Sequence, residues 1–563
     1  MLKLLQITLL FLSGYTTLAQ ALYWNEVFYS RSEEGKSMCN QFVKTRDSGF
    51  VLTGFFEKEL RLADTLIHNN GSQDAFIVKL DKNQNTEWVQ IFSGSGDNSG
   101  LVLMQLSGGE LVGGGKFEDS LFIGDTVLVS RGATDIFIYS LSPRGKLLWV
   151  KTAGGPGDDY IGIGRLGYST GGIDRDENDN IYISGAYGAN YSSPSLQYSA
   201  WFDSVKITAV QGADAFIAKF DKKGKLCWVR SAGGTYADEA FDISIRKGKL
   251  AVTGSFGGWW MEFGNFRLLF KESTFSDMFV AMYDTAGNFY WARGAGNENP
   301  VYGKSCVIDK RMNIYVTGTY FADDLSFGKF VYLLPSLGDF DMYIASYDSN
   351  GAFRWAVNGG GGSSDIGQLL AIDRYDMIYA GGFFSYYATF GTDTVFGLKR
   401  DPFIAKINTE GDYQWVKTVK GGGDETPYDI YVSDTNNIYL AGYFRSLSVS
   451  FDQIVIQNKG EENFFIARLG ADSIVTGIKS TNGLTSPVTI YPNPTDGREV
   501  TLTFRAGRYE CVQLYDLHGR LLRSISITSD EDHIVIDMSR YGRGAYLLHL
   551  QGREFSTSSV LIH

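Results

Sequence analysis

The chain has 563 residues, a formal net charge of −12 and an isoelectric point of about 5.1. It has no excess of Lys and Arg from which to build the basic face that nucleic-acid binding requires, so that class is excluded. Sixty-seven glycines, 38 Phe and 33 Tyr against ten Pro suit many short strands joined by tight turns. The length exceeds one simple core, so several domains or one repeat array is expected.

Residues 1–21 read as a secretory signal. Lys3 precedes a short apolar run, LLQITLLFLSG, and Thr17-Leu18-Ala19 or Ala19-Gln20-Ala21 offers small residues for cleavage. An N-terminal membrane anchor is the alternative, but the run falls short of the ~20 apolar residues that span a bilayer. No later segment reaches that length, so the mature protein is expected to carry no transmembrane helix.

From residue 22 onward a repeat governs the chain. Trp24, Trp88, Trp149, Trp228, Trp291, Trp355 and Trp415 recur every 60–79 residues. An offset series runs DAFIVKLD at Asp74, DIFIYSLS at Asp135, DAFIAKFD at Asp214, DMFVAMYD at Asp277, DMYIASYD at Asp341, DPFIAKIN at Asp401 and NFFIARLG at Asn463. Such a period signals an array or a propeller. In repeat four, FDISI, LAVTGSF, DMFVAMYD and FYWARGAG read as four strands, labelled A to D from the axis outwards, with a longer connection between B and C. Strand C is apolar on both faces, which fits a sheet sandwiched between neighbours, and the Trp that opens strand D is large enough to fill the wedge between blades.

Repeat one opens with its A and B strands near Gln41–Phe56, and repeat seven ends on its C strand at Phe464–Leu469, without a D strand. LYWNEVFYS (22–30) looks like the missing strand, with Trp24 in register. The expected fold is therefore all-β: a seven-bladed β-propeller over 22–470, closed by the N-terminal strand, which removes the open sheet edges. Gly154-Gly155-Pro156-Gly157-Asp158-Asp159, IYVTG (314–318), Phe327-Gly328 and DAFIAKFD (214–221) resemble the SBBP repeat family of seven-bladed propellers. That resemblance speaks to fold and says little about activity.

Residues 471–486 read as a polar linker. Beyond it, about seven short alternating strands over 487–563 suggest a small Ig-like β-sandwich. Tyr491-Pro492-Asn493-Pro494, then YDLHGRLL with Gly519 and Arg520, then Gly544-Ala545-Tyr546-Leu547-Leu548 resemble the type A C-terminal sorting domain of the Bacteroidetes type IX secretion system. The resemblance implies engagement with that machinery, passage through the outer membrane and attachment at the surface. The ending Val560-Leu561-Ile562-His563 departs from the family's basic ending, which bears on how the domain is processed.

Cys39, Cys227, Cys306 and Cys511 show no CxxC spacing and read as free thiols. Of five His only His68 lies in the repeats, so Ser-His-Asp, Cys-His and His-rich metal chemistry is excluded there. Carboxylates remain. The Asp before each strand C reads as a cap on backbone N–H groups. A second series, Asp97, Asp158, Asp159, Asp238, Glu239, Asp365, Asp424 and Glu425, lies in the D-to-A connections. It reads either as turn caps or as a ring of oxygen ligands for Ca²⁺.

Repeat three is the longest, with its excess at Tyr160–Gly171, before strand A, and at Ala189–Trp201. Repeat four carries Trp259-Trp260 between B and C. The D-to-A and B-to-C loops share one face, and exposed aromatics there stack on sugars or anchor proteins. Trp201, Trp259, Trp260, Tyr191 and Tyr198 are the candidates. The expectation is a surface propeller without catalysis that binds a glycan or protein. The alternatives are a polysaccharide lyase or hydrolase using carboxylates of that face, and a purely structural surface protein.

Overall fold

A computed structural model describes residues 22–69, 72–162, 171–189, 198–269, 276–296, 298–321, 324–327, 333–471, 488–491, 499–504, 506–507, 509–515, 521–542, 545–551 and 556–562. The signal segment (1–21) and all but the first residue of the linker (471–486) lie outside them. Two compact units are separated, Met1–Ser473 and Ile474–His563. Among the described residues every regular element is a strand.

The first unit is a β-propeller-like succession of antiparallel sheets. Repeat four shows the plan: Asp238–Arg246, Lys249–Gly257, Ser276–Asp284 and Phe289–Ala295 pair in chain order as strands A to D. Strand C is buried on both faces because sheets stand on either side of it. In repeat three, Phe216 and Ala218 pack with Ile136 and Ile138 of repeat two, whereas Ala215 and Ile217 pack with Val252 and Phe279 of repeat four. Each such side chain contributes roughly 1.5–3 kcal/mol by leaving water.

The insertion in repeat three interrupts strand A and does not precede it. Asp158–Ile161 and Ile173–Arg175 both pair with Ile181–Ala189, and 163–170 between them lies outside the described residues.

The tryptophans lock each repeat to the next. The indole N–H groups of Trp88, Trp149, Trp228, Trp291 and Trp355 donate to carbonyls of Pro143, Lys222, Thr285, Ser349 and Thr409 at 2.9–3.3 Å, all in the C-to-D turn of the following repeat. Below Trp291 that turn holds Gly351 at φ +77°, where a Cβ would lie 2.7 Å from the ring. Only glycine combines that backbone angle with that approach.

At the last sheet the chain ends meet. Asn463–Ala471 pairs on one side with Ile438–Phe444 and on the other with Leu22–Tyr29. Trp24, however, is two residues out of register. It lies opposite Leu469, and Glu26 faces Arg468, the place the tryptophans take in other repeats (Trp88 opposite Lys79). A bulge at Asn25 causes the shift, and Arg468 Nε bonds Asn25 Oδ1 at 2.8 Å. Trp24 therefore turns back on its own sheet and the one before, donating to the Thr418 carbonyl at 3.2 Å and meeting Phe451 edge-on at 5.6 Å.

The A strands are also tied in succession. Gln41 accepts from Leu103 N, Asp174 from Ile245 N, Asp242 from Cys306 N, Ser305 from Leu370 N, and Asp429 of repeat seven from Phe42 N of repeat one.

The B-to-C connections, read from sequence as loops, contain hairpins. Ser199–Phe202 with Val205–Thr208 and Trp260–Phe263 with Phe266–Leu269 are examples, and in repeat six strands B and C simply extend to Phe390 and back from Asp393. These hairpins pair with the end of strand D in the preceding repeat, as at Gly154–Trp201 and Gly234–Met261. They thus stand beside the D-to-A connections.

The second unit has two antiparallel sheets, Val488–Tyr491/Glu499–Phe504/His533–Asp537 and Leu521–Ser526/Cys511–Tyr515/Ala545–Gln551/Ser556–Ile562, in strand order. One core serves both, with Val500, Leu502 and Ile536 from one and Val512, Leu514, Leu548 and Leu550 from the other.

Candidate binding face

The acidic residues of the D-to-A connections do not converge on a cation. Asp159, Asp238 and Asp365 are fully buried, and each takes two backbone amides: Gly155 and Gly188, Gly234 and Gly257, Gly361 and Ser385. Asp97 is exposed, Asp158 half-buried in strand A, and Asp424 lies 3.9 Å from Arg445. Among the described residues no three His, Cys, Asp or Glu side chains gather as a metal site would. The amide cradles explain why: N–H dipoles point their positive ends at these oxygens, where a cation would need carbonyls.

The aromatic candidates separate. Trp259 is 69 % exposed at the tip of its connection. Trp260, one residue on, starts the hairpin strand and is covered by Arg267 at 4.4 Å from its ring. Trp201 lies half-buried between Lys206 at 5.4 Å and Arg131 at 6.0 Å. Tyr198 is half-buried beside the same hairpin, its carbonyl accepting from Ala209 N. Tyr191 lies outside the described residues. Tyr160, at the edge of the repeat-three insertion, is buried and donates its hydroxyl to Glu239 at 2.5 Å.

Sequence reading missed the apolar surface of the hairpins. Val127 and Val129 in repeat two, Leu269 in repeat four, Tyr387, Phe396 and Leu398 in repeat six, and Leu447 in repeat seven are all exposed. Alternation in TDTVFGLKR (392–400) was the available signal, because its outward residues are apolar where a solvated hairpin would be polar. An open groove of 740 Å³ runs between the connections of repeats five and six, lined by Leu337, Asn358, Tyr387, Thr389, Asp412 and Tyr413. Its volume lies within the range of small-ligand sites.

In the second unit, Tyr546 is buried and bonds Gly542 O, and Tyr491 ends a strand. Pro492, Asn493, Pro494, Gly519, Arg520 and Gly544 lie outside the described residues.

Residues 489–563 match the family described as the secretion system C-terminal sorting domain. This domain marks proteins exported by type IX secretion, which places the protein at the cell surface or in the extracellular space, with the type IX machinery as its partner in transit. No helix among the described residues is long and apolar enough to cross a membrane. An uncharacterized WD repeat-containing protein, L264, of Acanthamoeba polyphaga mimivirus is 26 % identical over 239 residues, which is 38 % of this chain and 17 % of that protein; the chain thus spans about a sixth of the relative's length. Among solved structures, the phage phi92 endosialidase aligns with a TM-score of 0.34 at 8 % identity, over 96 % of this chain and 87 % of that one. A member of the DUF4221 family from Bacteroides vulgatus aligns at 0.32 and 10 % identity, over 80 % and 98 %.

Proposed function

We propose that this chain is a non-catalytic binding protein of the cell surface. In this reading the first unit is a seven-bladed propeller of the SBBP type, closed by Leu22–Tyr29, and it engages a macromolecular partner through the face carrying the D-to-A and B-to-C connections. The second unit, an Ig-like sandwich, delivers it there and attaches it. The pairing of Leu22–Tyr29 with Asn463–Ala471 and the Asp429–Phe42 bond support closure. The observation that carries the binding reading is the row of exposed apolar side chains on the hairpins of that one face. Patches of this kind mark interaction sites. The aliphatic members, Val129, Leu398 and Leu447, favour a protein surface, whereas the Trp259 ring is what a sugar would use.

A hydrolase or lyase needs free carboxylates about 5–10 Å apart. Those of this face have oxygens engaged by backbone amides, which supports binding without turnover. The test is binding of the purified chain to a polysaccharide panel and to isolated surface proteins, with and without Ca²⁺, beside a depolymerisation assay. Capture that Phe396→Ser/Leu398→Ser or Trp259→Ala abolishes, with no chain cleavage, is the expected result. Depolymerisation of any substrate would replace the reading with the enzymatic one, and a blank panel would replace it with a structural role.

A further inference from the structure

Five repeats carry a second regularity: Asp74 and Asn98, Asp135 and Asp159, Asp214 and Asp238, Asp341 and Asp365, and Asp401 and Glu425 are each 24 residues apart. The two members lie against the same stretch of backbone at the end of strand D. A Cβ on Gly360 would sit 2.2 Å from Asp341 Oδ1 and 3.3 Å from Asp365 Oδ2. Gly421 donates its N–H to Asp401 Oδ1 at 2.8 Å, and its Cβ would meet Glu425 Oε2 at 2.0 Å.

In the four all-acid pairs the hydrogen bonds are unequal in one consistent way. Asp159, Asp238, Asp365 and Asp401 each use both oxygens to accept backbone N–H groups. Their partners keep one satisfied oxygen and one buried orphan: Asp135 Oδ1, Asp214 Oδ1, Asp341 Oδ1 and Glu425 Oε2. All eight residues are at most 1 % exposed. A carboxylate oxygen only accepts, so an orphan facing another carboxylate in the dry interior is costly unless something donates between them. Repeat one shows the resolved form. There Asn98 stands for one acid and donates to Asp74, which has no orphan oxygen. An amide N–H does permanently what an acid O–H does when protonated.

We propose that each of the four acid pairs holds one proton between its carboxyls in the folded protein at neutral pH, carried on the orphan oxygen and donated to the partner cradled by amides. These acid–carboxylate hydrogen bonds are then part of what fastens strand D to the connection that follows it, and they are lost in alkali. A divalent cation fits worse, since the oxygens around each pair are met by N–H donors where a cation needs six to eight oxygens.

Burial is the main cause that lifts these groups, Asp135 to about 6, Glu425 to about 7, Asp214 and Asp365 to about 8, with the partner's charge adding to the lift on Asp365 and Glu425. The values belong to each pair as a whole. Because the folded values are raised, the stabilisation is complete below the ordinary carboxylate range and is lost as pH rises through about 6 to 8. The charged neighbours are few: Arg131 beside Asp135, Lys420 beside Asp401, Asp158 beside Asp159, Glu239 beside Asp238 and Asp339 beside Asp341. Tyr187 faces Asp214, Tyr320 faces Asp341, and Arg445, paired with Glu462 and Asp424, donates a backbone bond to Glu425.

The experiment is thermal unfolding of the full chain from about pH 5 to about pH 9 in chelator. Tm is expected to fall as pH rises. The Asp135→Asn/Asp214→Asn/Asp341→Asn/Glu425→Gln variant is expected to flatten that fall, since its amides donate at every pH. A fall of equal steepness in the variant overturns the proposal. So does a Ca²⁺-dependent recovery at alkaline pH in the parent that the variant lacks, because a cation would then be the occupant. Should the fourfold variant fail to fold, Asp214→Asn alone is expected to release about one proton fewer than the parent on unfolding near pH 7, read by calorimetry in buffers of different ionisation heat. An equal release overturns it.

Discussion

Trp24→Ala tests how far the last sheet depends on the N-terminal strand. Trp24 is 3 % exposed, packs edge-on against Phe451 and donates to the Thr418 carbonyl, so one side chain touches three strands from distant parts of the chain. Truncating a buried Trp to Ala costs about 3–5 kcal/mol through lost burial and the cavity left. The orphaned carbonyl accounts for about 1–3 kcal/mol if water cannot reach it. Those costs overlap, so a total of about 4 kcal/mol is expected. The neighbour Tyr23 is 47 % exposed, and its alanine variant should stay within about 0.5 kcal/mol of the parent. Urea unfolding followed by intrinsic tryptophan fluorescence is the assay. All ten tryptophans precede residue 471, so the signal reports the first unit alone. A Trp24→Ala loss below about 1 kcal/mol, no larger than an ordinary surface change, would show that Leu22–Tyr29 frays from the sheet and that closure does not rest on it.

Other outcomes follow from the same contacts. Removing residues 22–30 should lower Tm far more than any single substitution in that strand, and an unchanged Tm would refute closure. Gly351→Ala places a Cβ 2.7 Å from the Trp291 ring at φ +77° and should cost more than about 1 kcal/mol by chemical denaturation; a neutral result would mean the turn can move away. Asp309 is buried and accepts from Arg311 N, Asn313 N, Asn313 Nδ2 and Tyr315 Oη, so Asp309→Ala should cost about 1–3 kcal/mol, checked the same way. Cys227 is exposed while Cys39 and Cys306 are buried. A thiol reagent on the native chain should therefore modify Cys227 and leave the other two until denaturant is added, as mass spectrometry would read.

Much of the architecture was legible because the strands announce themselves. DAFIAKFD and its relatives are apolar on both faces, and that happens only where sheets flank a sheet. What was misread turns on things residue spacing does not encode. The Trp24-to-Trp88 interval matched the period, yet the bulge at Asn25 shifts Trp24 two places along its partner strand. MEFG and FRLLF in repeat four were taken as a connection because four-residue strands fall below the length at which alternation is decisive, and only Gly264 at φ +62° marks the turn between them. The acids of the D-to-A connections looked like outward-facing ligands. Their true partners, the amides and the carboxyls 24 residues upstream, become neighbours only once strand D folds back. Trp259 and Trp260 illustrate the limit of any one-residue argument: adjacent in sequence, one stands in solvent and the other lies under Arg267.

The last sheet joins the chain's earliest described strand to its latest strand before the sorting domain. A ribosome makes Leu22–Tyr29 first, and that segment waits until Asn463–Ala471 exists before it finds its place. The sorting signal is synthesised only after those residues. A prematurely terminated chain therefore lacks the means to finish its circle and the passport for export together. Proofreading for completeness is written into the order of the sequence, with no separate inspector needed.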